Sequence, residues 1–328
     1  MRWTPGKLPC VDKSEIENRL LQECRLEHPE EGWLAMDRRT KYVAAVCQFA
    51  PSYCDPKASL DRMCYRVEEA MSWEKDVRLV VFPETATVGL PRLPESHDEH
   101  WKLEPYLEKA ENVHGSTSTA LGKMAKAHGV YIATGFVEAD PVLRGVIYNS
   151  SLLIGPDGEI VATHRKVQSG GVFKSGSAVE VHDTAIGKIG LSICYDLWFP
   201  EFLRIQVRQG CEVHINMTAN QPIFAIGSTH VPIVRAAENE IFVVSANLIG
   251  DHRPQGGRQY MGASSVISPF GEVIAIAGQE HEETILGEID LHRILKTRAL
   301  FSTIKDIRTD IYEVKYYGPS EGTAGPAS

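Results

Sequence analysis

The sequence predicts an α/β fold, and three of its features do so. Short apolar runs of strand length recur along the 328 residues, bounded by Pro, Gly, Asn or Asp. Stretches with apolar residues at helical spacing stand between several of these runs. Gly155-Pro156-Asp157-Gly158 and Pro269-Phe270-Gly271 join other runs directly, so hairpins alternate with crossovers and the sheet is expected to be mixed.

Residues 1–40, rich in charge and broken by Pro5, Pro9 and Pro29, read as an N-terminal extension with one short helical stretch around Ser14 to Cys24. From Lys41 the run YVAAVCQFAP has the continuous apolar character of a buried strand. Asp55 and Pro56 are an N-cap and first-turn pair, followed by Leu60, Met63, Cys64, Val67, Ala70 and Met71 at helical spacing. Further strands are expected over Val77 to Glu84, Val130 to Glu138, Val146 to Ile154, Glu159 to His164, Lys188 to Ile193, Glu212 to Met217, Ile241 to Asn247, Gly262 to Ser268, Glu272 to Ala277 and Thr284 to Ile289. Helices are expected over Ser116 to His128, Phe199 to Gln209, His230 to Asn239 and Leu291 to Ile304. No linker or internal repeat divides this stretch, so residues 41–312 form one expected domain, and 313–328 a loosely attached tail.

Composition narrows the function. A net charge of -9 with scattered Lys and Arg gives no attraction to nucleic acid or an anionic membrane. No apolar run approaches the roughly 18 residues of a membrane span, and the first residues lack the apolar core of a signal peptide, so the expected location is cytoplasmic. Seven cysteines without a C-x-x-C pair fit neither a disulfide framework nor a zinc cage, and no metal is expected. They read as free thiols, with room for one to be catalytic.

Three reactive side chains stand where apolar strands end, the place at which α/β folds expose catalytic groups. Glu84 follows VVFP and emerges at the edge of the core, where a carboxylate is a stronger base than in water; the plainer alternative is a salt-bridged Glu. Lys166 closes the strand ending THRK ahead of a Gly-rich loop, where most lysines are simply solvated. Cys194 ends the apolar run KIGLSIC ahead of a helix near Pro200, although most cysteines in such a place are core residues. Together they make a working set: thiol as nucleophile, carboxylate as proton shuttle, ammonium as oxyanion partner.

The wording around these residues is more specific than their types. FPE at Phe82 to Glu84, Tyr148-Asn149-Ser150, Arg165-Lys166-Val167, the stretch Ile189 to Asp196 with Phe199-Pro200-Glu201, Arg235-Ala236-x-Glu238-Asn239, Ala246-Asn247-x-x-Gly250 and Ile307-Arg308-x-Asp310-x-Tyr312 resemble the motifs of the nitrilase-like carbon–nitrogen hydrolase family. The resemblance spans Lys41 to Tyr312. It implies a four-layer αββα sandwich with two mixed sheets, a homodimer or higher homo-oligomer, no cofactor, and a catalytic set of Glu84, Lys166 and Cys194. It further implies that the Tyr195 N–H joins Lys166 at the oxyanion and that Asn220 borders the substrate. Trp198, Phe173 and Phe224 would line an apolar pocket or pack the core. Glu138, Arg235, Glu238 and Asn247 are expected to be structural.

Cys194-Tyr195-Asp196 resembles amide- and carbamoyl-cleaving members more than nitrile-cleaving ones. The ranking expected is therefore small amides, then N-carbamoyl compounds, then nitriles. His252, Arg253 and Arg258 would suit a substrate carboxylate or belong to a solvated loop. Many members carry a second Glu soon after the lysine; VQSGGVFKSGSAVE offers Gly and Ser there, with Glu180 too late. That departure leaves a rival reading, a catalytically weak scaffold or binding protein.

Overall fold

In the computed structural model, the described residues are 40–91, 103–250 and 259–312. The expected extension over 1–40, apart from its last residue, and the tail over 313–328 lie outside them.

The chain opens on β1 (Lys41–Gln48), then α1 (Pro56–Trp73), whose first turn is capped by the Asp55 carboxylate accepting from the Ala58 N–H. Next come β2 (Val77–Val81), the short α2 (Glu104–Leu107) and α3 (Ser116–His128). Strands β3 (Tyr131–Ala139), β4 (Ile147–Ile154) and β5 (Ile160–Arg165) follow as a meander. The second half holds β6 (Val181–Thr184), β7 (Gly187–Ile193), α4 (Pro200–Arg208), β8 (Val213–Thr218), α5 (Ile226–Thr229), α6 (Val231–Asn239) and β9 (Phe242–Asn247). It closes with β10 (Ile249–Gly250), β11 (Tyr260–Met261), β12 (Ser265–Ile267), β13 (Val273–Ile276), β14 (Glu283–Asp290) and α7 (His292–Leu300).

Two six-stranded mixed sheets result, ordered β14-β1-β2-β3-β4-β5 and β13-β12-β9-β8-β7-β6, with β10 and β11 paired separately. Read from β14 in the first and from β6 in the second, an antiparallel edge pairing precedes two parallel pairings and two antiparallel ones. The sheets face each other through one apolar layer: Ala44, Val46, Leu79, Val81 and Ala133 of the first pack with Leu191, Ile215, Met217, Val244 and Val266 of the second. Helices α1 and α3 cover the outer face of the first sheet with Met63, Val67, Leu121 and Ala125. On the second sheet, Leu203 and Val207 of α4 join Cys211 and Ile241 in one cluster, and Ala236 of α6 meets Val243 and Ile267. The layering is αββα, as the resemblance implies.

Three expected elements differ in extent. The strand expected to reach Glu84 stops at Val81, because Pro83 has no N–H for the ladder and the chain turns under β3. The strand expected over Gly262 to Ser268 shortens to β12, because Gly262 and Ala263 stand at positive φ, and Tyr260 and Met261 before them pair separately as β11. The final helix stops at Leu300 rather than Ile304, because the buried Glu240 carboxylate captures the N–H groups of Thr303 and Ile304. Among the described residues, no helix is long and apolar enough to cross a membrane.

Candidate active site

Glu84, Lys166 and Cys194, far apart in sequence, meet where the two sheets' parallel strands end. Glu84 reaches this point because the segment Pro83 to Ala86 lies directly on Gly135 of β3, with the Gly135 N–H on Pro83 O at 3.1 Å and the Ala86 N–H on Gly135 O at 3.0 Å. A Cβ at residue 135 would lie 2.6 to 2.8 Å from Thr85 N, Glu84 Cα and Pro83 O, so only glycine permits this approach. Glu84 is 1% exposed, and its Oε1 accepts from Lys166 Nζ and from Asn149 Nδ2, both at 2.7 Å. Its Oε2 is buried and has no partner.

Lys166 follows β5 directly. Arg165 just before it grips Glu138 through two hydrogen bonds, at 2.5 and 3.0 Å, and stacks on Tyr148 at 3.9 Å. Burial alone would lower the Lys166 pKa, but the charge of Glu84 outweighs it and holds the ammonium well above the usual lysine range.

Cys194 turns out of β7 with φ +49, a left-handed conformation that costs a non-glycine residue about 1–3 kcal/mol. Asp196 holds it there. One of its carboxylate oxygens accepts from the Ile193 N–H and faces His164 Nε2, both at 3.1 Å, while the other accepts from the N–H groups of Val167 and Gln168 at 3.1 and 2.7 Å. A fully buried carboxylate thus ties the cysteine turn to the loop after Lys166. The thiol donates to Asn220 Oδ1 at 3.5 Å. Asn220 is fixed by Asn247 Oδ1 on its N–H at 2.8 Å and by Ser228 at 2.9 Å. Burial first, and then the charge of Glu84, push the thiol pKa up to about 11 against the pull of Lys166, so the resting sulfur is protonated at neutral pH.

The three residues line a cavity of about 530 Å³ together with Asn149, Gln168, Ser169, Asn220, Gln221 and a set of apolar and aromatic side chains that includes Phe173, Tyr195, Trp198 and Phe224. Tyr195 and Phe224, about half exposed, form its rim. Among the described residues no group of His, Cys, Asp or Glu is arranged to hold a metal ion. Glu180 lines a different cavity, beside Glu138, His164 and His182, and does not supply a second carboxylate here. Arg235 donates to Leu197 O and Trp198 O, both at 2.9 Å, and pairs with Glu238, so these two residues fix the segment after the cysteine. His252, Arg253 and Arg258 lie outside the described residues.

Sequence reasoning missed two contributors. Asn149 stood inside a recognised motif but carried no assigned role, and nothing in a strand interior announces a contact with Glu84. The Asp196–His164 tie was equally hidden, since its partners lie 32 residues apart.

A model of the carbon–nitrogen hydrolases matches residues 43–299. The chain belongs to the carbon–nitrogen hydrolase family. Similar members include the omega-amidase NIT2-A of Xenopus laevis, 29% identical over 78% of this chain and 92% of that protein, and the omega-amidase NIT2 of Danio rerio, 30% identical over 68% and 83%. Among solved structures of the fold, Saccharomyces cerevisiae Nit3, a member of branch 10 of the nitrilase superfamily, superimposes with a TM-score of 0.70 at 29% identity, covering 81% of this chain and 96% of that one. A Helicobacter pylori carbon–nitrogen hydrolase gives 0.71 at 25% identity, over 83% and 97%. Within this family the motifs around Glu84, Lys166 and Cys194 fall inside the matched span.

Proposed function

We propose that this carbon–nitrogen hydrolase, an amidase-type enzyme, cleaves the C–N bond of a small amide through a thioester on Cys194, with Glu84 as general base and acid and Lys166 at the oxyanion. The observation that carries this reading is the arrangement around Glu84: Oε1 is held by Lys166 and Asn149, leaving Oε2 as the oxygen free to take a proton. In the first step Oε2 removes the Cys194 proton as sulfur attacks the carbonyl carbon. Lys166 Nζ and the Tyr195 N–H meet the oxyanion. Glu84 then protonates the departing nitrogen, ammonia or an amine leaves, and the acyl group remains on sulfur. Glu84 next removes a proton from water, which attacks the thioester, and the acid departs as sulfur regains its proton. A thiol pKa of about 11 suits this order, because the nucleophile is generated only when Glu84 accepts its proton.

Asn220 and Trp198 border the acyl group, a role supported by their place in the cavity wall. A cytoplasmic location and a homo-oligomer go with this reading; the exposure of Ile223, Ile226 and Val234 on one side of the second sheet supports the oligomer. Sedimentation of the full chain measures it directly.

The test is intact-mass spectrometry of wild type and Cys194→Ala mixed with small amides, N-carbamoyl amino acids and nitriles, with released ammonia assayed alongside. An acyl adduct on wild type alone, with ammonia from the amides, is the expected result. No adduct and no ammonia from any compound would leave the scaffold reading in its place.

A further inference from the structure

The chemistry of the cavity wall speaks to which amides fit. Among the described lining residues the only charged groups are Glu84 and Lys166, and these are already paired at 2.7 Å. Everything else is neutral. Leu90, Pro91, Phe173, Trp198, Phe224 and Tyr260 make the wall apolar and largely aromatic, while Gln168, Ser169 and Gln221 add uncharged polar groups.

The aromatic side is built rather than incidental. Trp198 stands on Gly227, where a Cβ would come within 2.8 Å of the indole Cζ2 and 3.1 Å of its Nε1. Arg235 pins the Trp198 carbonyl from the other side at 2.9 Å. Tyr195 flanks it with ring centroids 6.5 Å apart and meets Phe199 edge-on at 5.1 Å. Elsewhere in the lining, Phe173 meets the buried Tyr106 edge-on at 6.2 Å, and the Tyr106 hydroxyl donates to Gly89 O beside Leu90. Rings held in place by such contacts are a preorganised receptor for a flat or branched apolar group.

We propose that the preferred substrates are neutral primary amides with an apolar acyl part of aryl or branched-alkyl size. This rests on the amidase reading of the same site. An aryl or branched-alkyl group would displace water from an aromatic surface. In a hydrophobic pocket each methylene that fits changes kcat/KM by roughly 10- to 200-fold.

The experiment is a kcat/KM series on the full chain with primary amides of matched length: phenylacetamide and 4-methylpentanamide against succinamate, glutaramate and 5-aminopentanamide, with acetamide as the reference. The neutral apolar pair should exceed the charged three by about 100-fold or more, the same order as one or two well-placed methylenes. Trp198→Ala should erase most of that advantage through KM. Gly227→Ala, whose Cβ would meet the indole Cζ2 at 2.8 Å and Asn220 Nδ2 at 3.1 Å, should reduce that advantage more weakly. Succinamate or glutaramate as the best substrate would overturn the proposal, as would an advantage for apolar amides untouched by both variants. Those outcomes still show thioester formation on Cys194, whereas failure of the amidase reading shows none with any amide.

Discussion

The sheet containing β1 to β5 and β14 and the sheet containing β6 to β9, β12 and β13 run through the same order of pairings, yet their outer faces differ in chemistry. On the first, Ala45, Cys47, Val80, Ile132, Leu152 and Ile154 meet the apolar faces of α1 and α3. On the second, the corresponding positions of β7, β8 and β9 carry Ser192, His214, Asn216 and Ser245, all buried. These lie side by side: Ser192 Oγ is 2.7 Å from His214 Nε2, to which its single proton goes, and 3.0 Å from Asn216 Oδ1, and Asn216 Nδ2 donates to Ser245 Oγ at 3.2 Å. Gln206 of α4 completes the row from above at 2.7 Å from His214 Nδ1. Because Gln206 Nε2 is committed to Leu191 O and Glu180 O, a neutral His214 donates from Nδ1 to Gln206 Oε1 and accepts at Nε2.

An apolar interface tolerates sliding, since its contacts are nearly interchangeable. A row of buried hydrogen bonds does not, since a shift leaves polar atoms unpaired at about 1–3 kcal/mol each. The polar row lies behind β7 and β8, the strands whose ends deliver Cys194 and Asn220. The apolar face lies behind the strands that lead to Glu84 and Lys166, where Gly135 and the Arg165–Glu138 pair set position locally.

Breaking the tie between the two halves should have the largest effect. Asp196→Ala removes a buried carboxylate from His164 and three N–H groups, and should cost about 3–5 kcal/mol in urea unfolding together with a loss of turnover greater than the loss of folded protein. On the apolar side, Phe82→Ala empties a fully buried site and should also cost about 3–5 kcal/mol. Acid should separate the sheets further. Burial lowers the His214 pKa from 6.5 to about 3, so its contribution to stability is complete above pH 6.5 and is lost as pH falls toward 3, by about 1.4 kcal/mol per unit in that window. A pH series of unfolding on wild type and His214→Gln would measure that slope, and an equal slope in the two would remove His214 as its source. Ser245→Ala should have a smaller effect, about 1 kcal/mol, as Asn216 loses one partner.

The same contrast shows in the chemistry of the cysteines. Cys47, buried in the first sheet, has its pKa raised to about 12 by burial, whereas Cys194 reaches about 11 and is partly exposed. Alkylation of Cys194 by iodoacetamide should therefore be slow at pH 7, rise close to tenfold per pH unit toward pH 10, and precede that of Cys47 throughout, as peptide mapping would show.

The α/β class, most strand positions, the capped helix after Asp55 and the candidate residues Glu84, Lys166 and Cys194 at strand ends were legible because each is a local signal: an apolar run, a cap, a motif in a fixed order. Element ends were less so, and the reasons were tertiary. Glu240 stops α7 from 60 residues away, and Gly135 bends the chain before Glu84. Trp198, Phe173 and Phe224 were left between pocket and core by the sequence, and the fold puts all three in the cavity wall.

Sequence alone therefore pointed to the side chains proposed for the chemistry and roughly which strand ends bear them, because strand length, apolar period and motif order are written in neighbouring residues. Only the tertiary structure decided that two sheets share one pairing order, that Asn149 bonds to Glu84 and Asp196 fixes the turn at Cys194, and that the described lining of the cavity is aromatic with Glu84 and Lys166 its only charged groups. Those facts depend on contacts between residues tens to hundreds of positions apart, and no local pattern encodes which distant partner a buried polar atom will meet.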